Sequence, residues 1–234
     1  MGTLDARKRH DRRSIPQIER HARMFHICSM PHSNPSPTLP DLFNTPVIAG
    51  LTSYAAFLDP SEERALIRAI DDARLTPFRF QQWTGKRLTR SYGPSYDFQT
   101  GRLDPADPVP DWLRPFADRA ADICGLPRAS IEQALLIRYD PGAGIGWHKD
   151  RPAYEHVIGL SLGAPATMRL RRRDGAGWQR RTLELVPRGL YRLSGEARHM
   201  WEHSIAGVGE RRYAVTLRSL AGDMIPTRST ETRP

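Results

Sequence analysis

Ile137-Arg138-Tyr139-Asp140-Pro141-Gly142-Ala143-Gly144-Ile145-Gly146-Trp147-His148-Lys149-Asp150 is the stretch from which the rest of the chain can be read. A β-type run, Ala134 to Tyr139, feeds a turn rich in Gly and Pro, and the chain leaves that turn through His148-Lys149-Asp150. In an extended segment alternate side chains share a face, so the imidazole of His148 and the carboxylate of Asp150 can converge on one point. One more imidazole completes the set of two histidines and one carboxylate that holds non-haem Fe(II) and leaves positions open for substrates. His203, in Trp201-Glu202-His203-Ser204-Ile205, precedes another strand-like run and is the candidate. A His-x-Asp pair by itself also reads as a surface or capping pair, so its surroundings have to decide.

Downstream comes Arg211-Arg212-Tyr213-Ala214-Val215-Thr216-Leu217-Arg218, in which Arg212, Ala214, Thr216 and Arg218 fall on one strand face. Two guanidiniums spaced along the inner wall of a barrel suit a small dicarboxylate, because each grips a carboxylate through paired hydrogen bonds. Taken together, Tyr139-Asp140-Pro141-Gly142, His148-x-Asp150, His203-Ser204-Ile205 and Arg212-x-x-x-Thr216-x-Arg218 closely resemble the AlkB-like 2-oxoglutarate- and Fe(II)-dependent dioxygenases, over roughly Pro40 to Leu220. The resemblance implies that Fe(II), 2-oxoglutarate and dioxygen are used to hydroxylate a carbon attached to a nitrogen of an alkylated DNA or RNA base, after which the adduct falls apart and the base is restored. It implies His148, Asp150 and His203 as metal ligands and catalytic residues, with Tyr139, Arg212 and Arg218 holding 2-oxoglutarate, Arg212 at its distal carboxylate. Two positions depart from the family pattern: Ile137 and Ala214 stand where many members carry co-substrate-binding asparagines. The run Ser194 to His203 is closer to the tRNA-acting AlkB homologue than to the founding repair enzyme. Modification of a tRNA base or a protein side chain by the same chemistry, or a silent barrel that only binds nucleic acid, are the alternatives.

With 234 residues the chain suffices for one large domain. A formal net charge of +9 favours polyanionic partners, although an arginine-rich composition spread along the whole chain gives the same number. Cys28 and Cys124 are the only cysteines, so no disulfide framework is expected and a reducing cytoplasm is the natural setting. No apolar run approaches the roughly 20 residues that span a bilayer. No membrane partner is expected, and a monomer is.

Residues 1–40 carry Arg7-Lys8-Arg9, Arg12-Arg13 and a Pro- and Ser-rich link with little apolar content, and read as a disordered basic arm. The dioxygenase-like domain is expected over 41–221, followed by a disordered tail over 222–234. Asp59-Pro60-Ser61-Glu62 is a helix start, and Leu66, Ile70 and Ala73 recur on one face behind it. A second helix opens near Pro108 to Leu113 and stops at Gly125, with Pro115 arguing for a later regular start.

Between the helices, Phe78 to Phe98 interleaves Phe80, Trp83, Tyr92, Tyr96 and Phe98 with Arg79, Lys86, Arg87 and Arg90. That mixture serves base stacking together with phosphate neutralisation, and it equally fits a hairpin with an aromatic inner and a basic outer face. The resemblance places a nucleotide-recognition lid here, which makes Arg87, Arg90, Tyr92 and Tyr96 the expected substrate-binding residues. Beyond Ala134 short β-type runs follow one another, at Val157 to Leu162, Ala166 to Arg171, Gln179 to Val186, Leu190 to Leu193 and Arg211 to Leu220. The expected fold is mainly β (α+β), a double-stranded β-helix or jelly-roll barrel braced by two N-terminal helices. Trp147 and Trp201 read as core, and His156 and His199 as residues outside the metal site.

Overall fold

Ala134-Leu135-Leu136-Ile137 make the middle of Ile131–Tyr139 apolar on both faces, and in the computed structural model this run is an interior strand of a seven-stranded antiparallel sheet. The structure describes residues 48–80, 83–96, 103–104 and 106–222, so the expected arm over 1–40 and nearly all of the expected tail over 222–234 lie outside the described residues.

In chain order the elements are β1 (Leu51–Tyr54), α1 (Pro60–Asp72), β2 (Thr76–Phe80), β3 (Trp83–Tyr92), β4 (Ser95–Tyr96), β5 (Leu103–Asp104), α2 (Arg114–Ile123), β6 (Ile131–Tyr139), β7 (Ile145–His148), β8 (Tyr154–Gly163), β9 (Ala166–Asp174), β10 (Gly177–Leu185), β11 (Leu190–Leu193), α3 (Gly195–His199), β12 (Glu202–Ile205) and β13 (Arg212–Leu220). The larger sheet runs β1-β11-β8-β13-β6-β3-β2 and the smaller one β10-β9-β12-β7.

Each face of the larger sheet has its own burial. Outward, Ala134, Leu136, Ile158, Leu160, Val215 and Leu217 pack with Leu66 and Ile70 of α1 and Ala117, Ala120 and Ala121 of α2. Inward, Leu51, Val157 and Leu193 meet Met168, Leu170, Leu185 and Ile205 of the smaller sheet. Two antiparallel sheets packed face to face in this way make the expected jelly roll.

The helices follow from local chemistry. Asp59 Oδ1 accepts from the backbone N–H of Ser61 at 2.6 Å and of Glu62 at 2.9 Å, while Glu62 Oε2 accepts from the Asp59 N–H at 3.0 Å, a complete capping box. Helix α2 has no side-chain cap and starts at Arg114, which leaves Pro115 in the first turn where its missing N–H costs nothing. The start therefore lies later than the Pro108 to Leu113 segment suggests.

Candidate metal centre

The turn after β6 sets the geometry. Gly142 adopts a left-handed φ of 80°, its N–H donates to Val208 O at 2.8 Å, and the Val208 N–H returns a bond to Ala143 O at 2.9 Å. A Cβ on Gly144 would stand 2.6 Å from Ile205 O, so only glycine lets the turn close onto the end of β12. Strand β7 is thereby laid against β12, with His148 directly opposite His203. The two imidazole centroids are 4.2 Å apart and tilted by 57°. Two residues beyond His148, Asp150 places Oδ2 at 3.6 Å from His203 Nε2.

The structure thus brings together the three side chains singled out in the sequence, and their charge states suit a cation. Burial holds His148 below the ordinary imidazole range, and burial reinforced by His148 lowers His203 to about 4, so both rings are neutral at pH 7. His148 Nδ1 lies 2.9 Å from Gly146 O, an arrangement that keeps the proton on Nδ1 and leaves Nε2 with its lone pair. Burial by itself would raise the Asp150 carboxyl, but Arg218, then the two imidazoles and Arg198, outweigh it and hold the group far below the usual carboxylate range.

Arg218 grips Asp150 Oδ1 through Nε at 3.2 Å and a terminal nitrogen at 2.9 Å, which leaves Oδ2 turned toward His203. Among the described residues no three His, Cys, Asp or Glu side chains stand closed around an ion as they are. The gap in the trio is small, 3.6 Å between His203 Nε2 and Asp150 Oδ2, against about 3 Å for neighbouring ligands on bonds of about 2.1 Å. Two neutral imidazoles and one ionised carboxylate are also the donor types that ferrous iron takes.

The second cationic feature lies on the same inner face. Arg212 is 1% exposed, donates to Ser161 Oγ at 2.9 Å, and has no partner for Nε or its other terminal nitrogen. Tyr139 lies opposite it in the register, with the ring centroid 5.2 Å from the guanidinium carbon. A Cβ on Gly159 would meet the Tyr191 ring at 2.2 Å, so that glycine is what lets Tyr191 lie across the inner face near Arg212. Ile137 and Ala214 face each other in the next row and join a small apolar cluster with Tyr139 and Ala143. A buried guanidinium with two unused donors beside a tyrosine is a receptor for a carboxylate.

Alternation along β3 divides the expected substrate-binding residues. Arg90 and Tyr92 pair with Leu136 and Ala134, which belong to the helix-packed face. Tyr92 is buried in that core and Arg90 pairs with Asp107 at 2.8 Å, so neither reaches the metal trio. From composition the stretch could not be split into faces without a register. Arg87 falls on the inner face with Thr89 and Ser91. Tyr96 lies in β4, and its side chain is outside the described residues.

Trp201 is core, whereas Trp147 is half-buried under the Arg171 guanidinium at 4.3 Å, a correction to its reading as core. His199 faces Glu155 at 3.3 Å, and His156 faces Arg192 at 3.4 Å. Sequence reasoning missed Gln133, whose Oε1 accepts from Arg218 at 2.8 Å while its Nε2 donates to Ser91 Oγ at 2.8 Å. It also missed Arg198, which is 3% exposed and donates to Tyr154 O at 2.8 Å, holding the loop after Asp150. A polar residue at an inward position of an otherwise apolar strand was the available signal for Gln133.

Residues 50–219 match the model of the 2OG-Fe(II) oxygenase superfamily. The tRNA (carboxymethyluridine(34)-5-O)-methyltransferase alkbh8 of Xenopus tropicalis is 30% identical over 176 residues, covering 73% of this chain and 26% of that protein. The alkylated DNA repair protein ALKBH8 homolog of Arabidopsis thaliana is 28% identical over 184 residues, 68% of this chain and 51% of that one. The alpha-ketoglutarate-dependent dioxygenase AlkB of Escherichia coli (strain K12) is 30% identical over 143 residues, 52% of this chain and 64% of that one. The chain thus spans between about a quarter and about half of the length of the first two. Of solved structures, OsALKBH1 superposes with a TM-score of 0.57 at 15% identity, covering 73% of this chain and 96% of that chain. A Pseudomonas putida prolyl-4-hydroxylase gives 0.51 at 18% identity, covering 74% and 93%, and both likenesses concern the fold.

Proposed function

Since the chain belongs to the 2OG-Fe(II) oxygenase superfamily, we propose that it is an Fe(II)- and 2-oxoglutarate-dependent dioxygenase that acts on nucleic acid and removes alkyl groups from damaged bases. The observation that carries this reading is the grouping of His148, Asp150 and His203, with Arg218 of β13 bonded to Asp150 and the buried, half-unpartnered Arg212 on the same face of β13. Ferrous iron, when bound by the trio, would supply the coupling of 2-oxoglutarate decarboxylation by dioxygen to hydroxylation of a substrate carbon.

The rest is the work of the chain's own groups. Arg212 and Tyr139 receive the distal carboxylate of 2-oxoglutarate, and Ile137 with Ala214 give its methylenes an apolar floor in place of asparagine contacts. Arg218 keeps Asp150 ionised and turned by one oxygen, and stands at the near end of the co-substrate. Gln133 fixes Arg218 in that role. A base N-methyl hydroxylated here becomes a hydroxymethyl group, whose C–N bond then breaks: the oxygen's proton passes to the base nitrogen and formaldehyde leaves.

A second reading has support in the printed names of the relatives, since the Xenopus tropicalis protein is named a tRNA methyltransferase and the Arabidopsis thaliana one an alkylated DNA repair protein homolog. In it the same centre hydroxylates a tRNA base and the product is stable. Purified protein with iron, ascorbate and 2-oxoglutarate is incubated with methylated DNA, methylated RNA and tRNA, and succinate and substrate mass are followed. Loss of a methyl mass with formaldehyde supports dealkylation, and a gain of one oxygen on tRNA supports the second reading. Succinate at background on every substrate, with wild type equal to the His148→Ala, Asp150→Ala double variant, sinks both and leaves a nucleic-acid-binding barrel, recognised by salt-sensitive oligonucleotide retention that survives the double substitution.

A further inference from the structure

Tyr191 lies across the middle of the inner face, between the two cationic ends of the site. Strand β11 pairs it with Gly159, and Gly159 pairs on its other side with Thr216 of β13, the strand that carries Arg212 and Arg218. A Cβ built on Gly159 would collide with Cζ, Cε1 and the hydroxyl oxygen of Tyr191, so the phenol end itself rests over the glycine. The ring is half-buried, since it also borders a cavity of about 250 Å³ shared with Ser161 and Leu185. Its hydroxyl has no hydrogen-bond partner among the described residues. Burial, then Asp150 and Tyr139, push its pKa up against the pull of Arg212 and Arg218. The hydroxyl therefore keeps its proton and is free to donate it to an acceptor.

Arg218 creates the need for such a donor. Its Nε and one terminal nitrogen hold Asp150 and the other terminal nitrogen holds Gln133, so every nitrogen of that guanidinium is already engaged. Ile137 and Ala214, which face each other in the neighbouring row, present carbon only. Thr216 adds a hydroxyl at the level of Gly159, on a shorter side chain. The unused donors of Arg212 stand further along β13, at the end away from the metal trio. A dicarboxylate held at one end by Arg212 brings its other carboxylate toward the level of Gly159 and Thr216. A carboxylate taken out of water there needs hydrogen bonds for the oxygen that a metal leaves uncoordinated.

Resting on the dioxygenase reading, we propose that Tyr191 is a further co-substrate-binding residue: its phenol donates to the carboxylate of 2-oxoglutarate next to the keto group, at the metal end of the site. Gly159 makes the contact possible by leaving room for the ring.

Binding is measured by calorimetric titration of 2-oxoglutarate, and separately of succinate, into protein saturated with Mn(II), which does not turn over. Succinate keeps the distal carboxylate and lacks the one next to the keto group. Tyr191→Phe retains the ring and removes the hydroxyl alone. It is expected to weaken 2-oxoglutarate by about tenfold, as for loss of a charge-assisted hydrogen bond, and to leave succinate within about threefold. Arg212→Gln should weaken both ligands. Adding Ala214→Asn to Tyr191→Phe places an amide in the neighbouring row, and should bring 2-oxoglutarate back to within about threefold of wild type. Gly159→Ala, which pushes the phenol away and keeps its hydroxyl, should show the same selective loss from the opposite strand.

Equal 2-oxoglutarate dissociation constants for wild type and Tyr191→Phe overturn the proposal. So does a Tyr191→Phe protein that loses 2-oxoglutarate and succinate in equal proportion, because the phenol then acts through packing or through the Arg212 end. If wild type binds no 2-oxoglutarate at all, the dioxygenase reading fails first, a result seen before any variant is made. Tight binding to wild type and to Tyr191→Phe alike sinks the role of Tyr191 and leaves that reading standing.

Discussion

Arg212 and Gln133 are the residues whose neighbours make the sharpest demands. Two Arg212 donors lie buried without a partner, so a carboxylate placed there gains charge-assisted bonds that water cannot replace. Arg212→Gln should raise the KM for 2-oxoglutarate by about 100-fold, the equivalent of roughly 3 kcal/mol, with a smaller change in kcat, read from succinate formation at varied co-substrate. Gln133 acts through Arg218 on Asp150 and touches neither metal nor substrate in the proposed scheme. Gln133→Leu should lower Mn(II) affinity by about 10-fold or more, while Gln133→Glu, which keeps the acceptor for Arg218, should recover most of it. A purely packing role for Gln133 predicts the reverse order in the metal titration.

The sequence made the metal trio legible because a His-x-Asp pair and a distant His can be named without coordinates. It left Arg87, Arg90 and Tyr92 undivided, because a mixed basic and aromatic run has no face until its register against β6 is known. Gln133 and Arg198 were invisible for a related reason: their value lies in which groups they bond across the fold.

At the level of elements, the long strands β6, β8, β9, β10 and β13 correspond to β-type runs read from the chain, since nine or ten residues of extended pattern outweigh local ambiguity. Strands β7 and β12, four residues each, carry two of the three candidate ligands and gave no clear pattern, because their pairing depends on the glycine turn and on each other. Helix α1 was legible from its cap. Asp59→Ala removes the acceptor for two backbone N–H groups, and should cost about 1 kcal/mol of stability. Urea titration should show this as a lower midpoint with an unchanged slope. An unaltered midpoint would mean that packing of Leu66 and Ile70 sets the helix start without help from the cap.

Across the whole molecule, the buried imidazoles couple stability to acidity. His203 is held at about 4 in the folded chain against an ordinary 6.5, so the unfolded chain binds the extra proton first as pH falls. The metal-free protein should therefore be most stable above pH 6.5 and lose stability steadily between pH 6.5 and about 4. Protonation of Asp150, held low by Arg218, adds a further loss only below the ordinary carboxylate range. Melting temperatures of chelator-treated protein across this range should fall with acid, and His203→Asn should flatten the upper part of the curve. A flat wild-type profile from pH 7 to 4.5 would show that the imidazole is solvated in the absence of metal.

In the smaller sheet β7 is an edge strand, as β10 is at the other margin; among the described residues it is hydrogen-bonded to β12 alone, with an irregular register. Such a margin opens before the rest of a sheet does. An ion shared between β7 and β12 would act as a rivet through that seam, converting a free edge of the barrel into a fixed one. Backbone amides of Ile145 to His148 should exchange with deuterium fastest in the chelated protein and slow by about tenfold or more when Mn(II) is added, while amides of β6 and β13 stay as they were.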